Sequence, residues 1–98
     1  QGGDVLLSPA ELSMLHNGAP DQRDALRLFN STDVLRFVYA DGAPIAWVAP
    51  GARIDVPSLA KGKYAVEWRT FFADDDAPPV ITPVPGTSES GVMDAGSP

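Results

Sequence analysis

Apolar side chains recur at every second position in four segments between residues 24 and 72 of this chain, and short turn sequences separate the segments. The four segments read ALRLFN, VLRFVYA, ARIDV and KYAVEWRTFF. A period of two is the pattern of a half-buried β-strand, whose successive side chains point to opposite faces. Short strands joined by tight turns pair in the antiparallel sense, so the sequence predicts a small all-β protein.

Two dipeptides predict the tightest turns. Asp41-Gly42 stands between VLRFVYA and the apolar run PIAWV, a combination typical of a two-residue hairpin loop, and Pro50-Gly51 follows the same run. Glycine reaches positive φ without the steric cost that a Cβ imposes. We therefore expect positive φ at Gly42 and Gly51.

A short helix is predicted by the stretch SPAELSMLHNG near the start of the chain. Ser8 can serve as the N-cap, Pro9 as the first helical residue and Glu11 as the residue that closes a capping box with Ser8. Leu12 then falls on the face that docks on the rest of the domain, and Gly18 is placed to end the helix. About two turns of helix are unstable without such packing.

A chain of 98 residues is long enough for one small domain and too short for two. We predict an antiparallel β-sandwich of about six strands in residues 24–85, preceded in residues 1–23 by an N-terminal arm with the short helix. Val80–Val84 is expected to be an edge strand, because proline is tolerated only where no ladder amide is required. Residues 86–98 have the composition of an acidic flexible or extended tail, so the C-terminal arm is expected to extend from the sandwich.

The formal net charge of −6 is unevenly distributed. Residues 73–98 contain five acidic side chains and no basic one, whereas residues 24–72 are close to neutral. Nucleic-acid binding requires a basic stripe that neutralises phosphates, so this distribution argues against it, and anionic membrane surfaces are disfavoured for the same reason. No apolar run reaches the length of a membrane span. The absence of cysteine excludes disulfides and thiolate metal sites.

The central stretch, residues 25–72, resembles the small β-sandwich modules of the PEGA type in bacterial envelope proteins. The family pattern has a strand that ends in a YVDG turn, a strand that reaches a PPG turn and a strand that begins LPPGKYTV. The corresponding stretches here are YADG at 39–42, APG at 49–51 and LAKGKYAV at 59–66, where Ala60-Lys61 replaces the prolines of the family. The resemblance implies a non-catalytic accessory or interaction module, of a kind often attached to larger envelope or surface proteins.

Trp47 and Trp68 admit two interpretations. Trp47 has the same parity as Ile45, and Trp68 has the same parity as Val66 and Tyr64, as side chains of one buried face would. We therefore predict that both tryptophans pack in the core, because a domain of this size needs large apolar side chains there. The alternative is a module that binds glycan or peptide through exposed aromatic rings.

The remaining polar side chains match no known catalytic or metal-binding motif. The densest carboxylate cluster consists of Asp74, Asp75 and Asp76, which lack the spacing of a calcium loop, so a small calcium-dependent module is only a further alternative. His16 is the only histidine, and no cysteine accompanies it. The serines stand in cap, turn and tail contexts, without a nucleophile elbow or a phosphate loop. We expect no enzyme activity, no metal site and no cofactor.

The predicted partner-binding segment is the C-terminal arm together with the proline-rich stretch APPVITPVPG at 77–86 that leads into it. Its prolines hold APPVITPVPG extended, and an extended segment loses little conformational entropy on binding. The residues expected to contact another protein subunit are Pro79, Val80, Ile81 and Val84, with electrostatic steering by Asp74, Asp75 and Asp76. An edge strand open to augmentation is the other predicted contact, and a linker to a further domain would have the same composition as the arm.

The predicted function is that of a non-catalytic accessory subunit or protein-interaction module in a bacterial envelope or membrane-associated assembly. The chain begins with Gln1, Gly2 and Gly3, without an initiator methionine. Signal-peptide cleavage leaves polar starts of this kind, so a periplasmic or otherwise exported protein is expected, although a trimmed fragment would begin in the same way.

Overall fold

The structure of the protein is a computed structural model, and it describes residues 2–15, 23–70 and 79–90. These residues form one short helix and eight strands, which in chain order are β1 (Gly3–Val5), α1 (Pro9–Met14), β2 (Arg23–Phe29), β3 (Arg36–Ala40), β4 (Ala43–Val48), β5 (Arg53–Ala60), β6 (Gly62–Arg69), β7 (Val80–Val84) and β8 (Gly86–Glu89). The predicted all-β class is confirmed, with eight described strands where about six were expected.

The strands form two sheets. The first sheet has five strands in the order β1-β4-β3-β6-β7, and the second has three in the order β5-β2-β8. Neighbouring strands are antiparallel, as predicted, except that β2 and β8 run parallel. The chain passes from the first sheet to the second between β7 and β8, at the cis peptide bond of Val84-Pro85.

The core contains alternate side chains of both sheets. Tyr64 is the largest of the fully buried side chains, and its hydroxyl donates a 2.6 Å hydrogen bond to the carbonyl oxygen of Ala60. A tyrosine that bonds back to the backbone a few residues upstream is the tyrosine corner of β-sandwiches. Burial raises the pKa of the Tyr64 hydroxyl, and the negative charge of Asp41 raises it further. The other large, fully buried side chains include Leu12, Leu26, Leu28, Ile45 and Leu59.

The helix α1 has the predicted cap. The Ser8 hydroxyl accepts a 3.2 Å hydrogen bond from the Glu11 amide, and the Glu11 carboxylate accepts one of 2.8 Å from the Ser8 amide. These two bonds with Ser8 lower the pKa of Glu11, the bond from the amide having the larger effect. Pro9 is the first helical residue, and Leu12 is buried where α1 packs on β5. Gly18, which was predicted to end the helix, lies outside the described residues.

The predicted hairpin turn between β3 and β4 is confirmed. Asp41 and Gly42 have φ of 51° and 85°, and positive φ at both central positions is the signature of the two-residue turn favoured in hairpins. The Asp41 carboxylate accepts a 2.9 Å hydrogen bond from the Ala65 amide, and the Asp41 amide donates one of 2.9 Å to the Ala65 carbonyl. The turn is therefore held against β6 as well.

The turn after β4 is also confirmed. Gly51 has a φ of 73°, as predicted. The Ala52 amide donates a 3.0 Å hydrogen bond to the Ala49 carbonyl across Pro50-Gly51, which is the pattern of a type II turn.

A buried asparagine closes one end of the sandwich. Asn30, which directly follows β2, donates from its side-chain nitrogen to the carbonyl oxygens of Val34 (2.8 Å) and Val48 (2.9 Å). Its side-chain oxygen accepts hydrogen bonds from the Thr32 amide (3.0 Å), the Thr32 hydroxyl (2.6 Å) and the Ser90 hydroxyl (2.9 Å). Within the described ranges no buried side-chain polar atom lacks a hydrogen-bond partner. Asn30 therefore connects both sheets through one fully satisfied polar centre.

Residues 86–90 belong to the sandwich, although the sequence places the start of the tail at residue 86. Strand β8 pairs with β2, and the Ser88 hydroxyl accepts a 2.8 Å hydrogen bond from the Trp68 indole nitrogen in the other sheet. Trp68 is 5% exposed and packs in the core, as predicted. The N-terminal arm likewise contributes β1 to the first sheet. The sandwich thus extends beyond both boundaries that the sequence suggested.

Candidate functional site

Trp47 lies on the outer face of the five-stranded sheet, so the prediction that it packs in the core is wrong. It is only partly buried and does not belong to the core, whereas Ile45 and Ala46 are both fully buried. The cause is a β-bulge, because the pairing of β4 with β3 skips Ile45. Two consecutive side chains face inward at the bulge, which reverses the alternation and turns Trp47 outward.

Three aromatic side chains share this outer face. Trp47 on β4 lies directly opposite Phe37 on β3, and Tyr39 is the next residue of β3 on the same face. All three side chains are partly exposed. We call Phe37, Tyr39 and Trp47 together the aromatic face. Rings on neighbouring strands and at next-nearest positions of one strand form a continuous apolar surface whose indole and phenol edges are polar.

Charged side chains border the aromatic face. Arg69 on β6 lies opposite Phe37, and its guanidinium is 4.4 Å from the centre of the Tyr39 ring. The same guanidinium forms a 3.0 Å ion pair with Glu67, and this hydrogen bond is the main reason that the pKa of Arg69 is raised. Arg69 is therefore a permanent cation held against an aromatic ring. Arg69, Phe37 and Trp47 thus lie opposite one another on three neighbouring strands. Asp4 on β1 lies opposite Trp47 and ends this row on the other side.

The predicted partner-binding residues of the C-terminal arm do not share one environment. Val80 and Ile81 on β7 are 48% and 63% exposed, and Pro79 is exposed as well. Ile81 lies opposite Ala65 of β6, on the same side of the sheet as the aromatic face. Val84 is 3% exposed and belongs to the core, because the alternation along β7 turns it inward. Val84 therefore cannot contact a partner of the folded domain, which corrects its predicted role.

The outer face of the three-stranded sheet carries a more polar group. The Arg53 guanidinium lies 4.7 Å from the centre of the Phe29 ring. Arg27 and Asp55 lie opposite each other on β2 and β5, but no ion pair joins them. These side chains, together with Thr87 and Glu89 of β8, line a shallow depression of about 300 Å³.

Residues 2–15, 23–70 and 79–90 contain no group of three or more His, Cys, Asp or Glu side chains that could hold a metal ion. Four side chains that the sequence singled out, those of His16, Asp74, Asp75 and Asp76, lie outside these ranges. In the same ranges no helix is long and apolar enough to cross a membrane.

Comparisons of the chain with protein-family models, with curated proteins and with solved structures find no match. The resemblance to PEGA-type modules rests on the residues quoted above, most of which are turn residues. Turn chemistry of this kind specifies a fold more closely than it specifies a function. Function must therefore be inferred from the surfaces of the domain.

One signal in the sequence could have indicated the aromatic face. Pro44 stands inside the strand segment APIAWV, and proline within a strand marks an edge or a bulge. A bulge next to Pro44 shifts the parity of every later residue in the strand, including Trp47. The alternation of apolar residues does not contain this information, because Ile45, Ala46 and Val48 are all apolar.

Proposed function

We propose that the protein is a non-catalytic interaction module, and that the aromatic face together with Ile81 contacts another protein subunit. The observation that carries the proposal is the position of Trp47 and Phe37, which lie side by side and partly exposed on the outer face of a sheet. Burial of both rings in the core would have stabilised so small a domain. Large apolar side chains that remain grouped on the surface are typical of a binding site.

The composition of this surface fits a protein partner. Binding energy in protein interfaces is concentrated in Trp, Tyr and Arg side chains, and Trp47, Tyr39 and Arg69 lie together here. The ion pair with Glu67 and the contact with the Tyr39 ring already orient Arg69. Little side-chain entropy is therefore lost when a partner covers it. Ile81 adds an exposed apolar side chain on the same side of the sheet, beyond β6.

The proposed setting is a bacterial envelope or membrane-associated assembly, in a periplasmic or otherwise exported protein. Its support is the resemblance of residues 25–72 to PEGA-type modules. Two of the stretches that carry the resemblance are YADG, which spans the end of β3 and the turn after it, and LAKGKYAV, which spans the end of β5, the turn at Lys61 and the first part of β6. The aromatic face and its charged border lie mainly on the same two strands.

A glycan-binding module is the second candidate, and the exposure of Trp47 favours it. Sugar rings stack on aromatic rings through their apolar faces, and carboxylates such as those of Asp4 and Glu67 accept hydrogen bonds from hydroxyl groups. Arg69 covers one side of the Tyr39 ring, which leaves Trp47 and Phe37 as the stacking surfaces. A glycan would therefore depend on Trp47 as strongly as a protein partner would, and the two candidates differ only in the ligand.

Replacement of Trp47 by threonine tests both candidates. Threonine suits a strand, and a partly exposed ring contributes less to folding than the about 3–5 kcal/mol lost when a buried aromatic is truncated, so Trp47→Thr should stay folded. Immobilised wild type and variant are exposed to a solubilised membrane fraction, and bound proteins are quantified by mass spectrometry. Migration of both proteins is also measured in gels that contain soluble polysaccharides. We expect a protein that wild type enriches and Trp47→Thr does not, and no retardation by polysaccharide.

Phe29→Thr is the matched control, because Phe29 is a partly buried ring on the outer face of the other sheet. This variant should retain the captured protein. Retardation of wild type by a polysaccharide, abolished in Trp47→Thr, would favour the glycan-binding module instead. Equal capture by wild type and Trp47→Thr would exclude the aromatic face as the contact surface.

A further inference from the structure

The two sheets end in four edge strands, β1, β7, β5 and β8, which differ in what their backbones offer to another chain. An edge with unpaired N–H and C=O groups can accept a strand from a partner. Along an edge strand, alternate residues direct their backbone N–H and C=O groups toward the paired strand, and the residues between them direct these groups toward the free edge. At three of the four edges, prolines, side chains or neighbouring elements obstruct the addition of a strand.

Prolines obstruct the edge at β7. The amide and carbonyl of Ala65 bond to Asp41, away from β7, so the opposing residue, Ile81, directs its own backbone groups to the free edge. The outward positions of this segment are therefore 79, 81 and 83. Pro79 and Pro83 have no N–H, so a partner strand would find only one donor there.

The edges at β1 and β5 are obstructed in other ways. Strand β1 has only three residues, and the outward amide of Val5 already donates a 2.8 Å hydrogen bond to the Asp4 carboxylate. Helix α1 packs on β5, which also contains a bulge where Ser58 has a φ of 69°. Covering elements and bulges are common protections of sheet edges.

Strand β8 keeps a regular set of edge groups. The Ser90 amide donates a 3.1 Å hydrogen bond to the Phe29 carbonyl, which in a parallel pair directs the backbone of Ser88 toward β2 and that of Thr87 and Glu89 outward. Thr87 and Glu89 each offer one N–H and one C=O. Among residues 2–15, 23–70 and 79–90, no strand pairs with this edge.

Arg27 provides a charge beside the edge. It lies opposite Thr87 on β2, is exposed, and makes no ion pair within the described part of the chain. Two shallow depressions, of about 300 Å³ and about 280 Å³, adjoin this position, and Arg27 and Thr87 line both of them. Because Thr87 is short, the Arg27 guanidinium can reach over it toward a strand added at β8. Glu89 places a negative charge on the same face, two residues further along β8.

We propose that the edge of β8 binds an extended peptide segment of a partner protein as a fourth strand of the β5-β2-β8 sheet, with an Asp or Glu side chain of the segment paired to Arg27. Antiparallel addition gives the more stable ladder. In that orientation the residue opposite Glu89 precedes the residue opposite Thr87 by two positions. The segment therefore carries a basic residue two positions before its acidic residue. This surface is separate from the aromatic face, so its test is independent of the proposed function.

The probe is the peptide acetyl-TKVEVT-amide, added to the isotope-labelled full chain. Binding is followed by the amide chemical shifts of the protein and by hydrogen exchange. We expect the amide signals of Thr87 and Glu89 to shift and their exchange to slow as the peptide is added. The amide of Ile81, at the edge that the prolines obstruct, should not change.

Two substitutions test the ion pair. Arg27→Gln and the peptide acetyl-TKVQVT-amide should each weaken binding by about two- to fivefold, the effect of one exposed ion pair. Together they should weaken it no more than either does alone, because both remove the same interaction. Lys61→Gln is the control, since it removes an equal charge from the turn between β5 and β6 and should leave the dissociation constant unchanged.

A peptide that is N-methylated at its glutamate tests the backbone pairing without any change to the protein. It lacks a donor to the edge and should bind about tenfold more weakly. Equal binding of the methylated peptide would overturn the proposal. So would amide shifts confined to other strands, or unchanged Thr87 and Glu89 signals at millimolar peptide.

Discussion

Replacement of Asn30 by alanine should destabilise the domain more than its small change in volume suggests. Asn30 is fully buried, and its side chain makes five hydrogen bonds, two as donor and three as acceptor. Alanine removes all five and leaves the Val48 carbonyl and the Ser90 hydroxyl without this partner in a buried position. Each buried group left unsatisfied costs about 1–3 kcal/mol, so Asn30→Ala should lose about 2–6 kcal/mol of unfolding free energy. A loss of this size is a large fraction of the stability of a small domain.

Asn30→Asp separates hydrogen bonding from shape. Ionised aspartate keeps the acceptor for Thr32 and Ser90 but donates nothing to the carbonyls of Val34 and Val48. Burial raises the folded-state pKa of such a carboxyl above its unfolded value of about 3.9. The protonated carboxyl of the variant therefore contributes to the unfolding free energy fully at pH values below its unfolded pKa, and this contribution is lost as the pH rises through its folded pKa. This variant should therefore be strongly destabilised at neutral pH and regain part of that loss near pH 4, where the protonated carboxyl can donate to one of the two carbonyls.

Urea unfolding followed by tryptophan fluorescence measures both effects, since Trp68 is buried in the folded state. Ser31→Ala is the control, because Ser31 is exposed beside Asn30 and its replacement should change the unfolding free energy by less than about 0.5 kcal/mol. A loss below about 1 kcal/mol for Asn30→Ala would refute the view that this polar centre holds the sheets together. An Asn30→Asp variant whose deficit does not depend on pH would refute the argument from buried charge.

Two further predictions concern the tyrosine corner and the last strand. Tyr64→Phe removes the donor to the Ala60 carbonyl and should lower the unfolding free energy by about 1–3 kcal/mol in urea titrations. The pKa of Tyr64 is raised in the folded state, so wild type should lose unfolding free energy as the pH rises above the unfolded pKa of about 10. Tyr64→Phe should lose less over the same pH range. An equal loss of unfolding free energy in both proteins would contradict this. A chain that ends at residue 85 should be about 2–4 kcal/mol less stable in thermal melts than one that ends at residue 90, because it lacks the hydrogen bonds of β8 and Ser90; equal melting would show that β8 is dispensable.

The parts of the fold that sequence reasoning predicted are those fixed by local chemistry. Ser8 and Glu11 form the capping box because both partners lie within one helical turn. Gly42 and Gly51 occupy positive φ because the turns around them require it. The strands β2, β3 and β6 follow from alternation, because one face of each is buried in the core.

The candidate site was missed because its position depends on pairing between strands. The bulge in β4 arises where β3 and β4 pair, and one extra residue there decides whether Trp47 faces the core or the solvent. The exposed side chain of Ile81, in contrast, follows from the predicted edge strand. The role predicted for Val84 was wrong because Val80–Val84 was expected both to form an edge strand and to contact a partner, and the alternation along that strand places Val84 in the core.

Strand β8 was missed because its stability does not come from apolar side chains. The sequence GTSE has the composition of a linker, yet Ser88 satisfies the Trp68 indole and Ser90 satisfies Asn30. A short polar strand of this kind is specified by hydrogen bonds to groups that are far away in sequence. Composition alone therefore assigns it to a tail.

The two proposed surfaces belong to different sheets, and this arrangement bears on what the module can do. The aromatic face is the outer side of the five-stranded sheet, whereas the β8 edge extends the three-stranded sheet that packs against its inner side. A partner on the aromatic face would leave the backbone of Thr87 and Glu89 accessible, so the two contacts do not compete for the same atoms. The Trp68 indole donates to Ser88 and so joins β8 directly to the first sheet. The Ser90 hydroxyl donates to Asn30, whose side chain in turn donates to the Val48 carbonyl of the first sheet. With both proposed contacts in place, the domain would hold two protein segments in a defined relative position, as the proposed role of an accessory subunit requires.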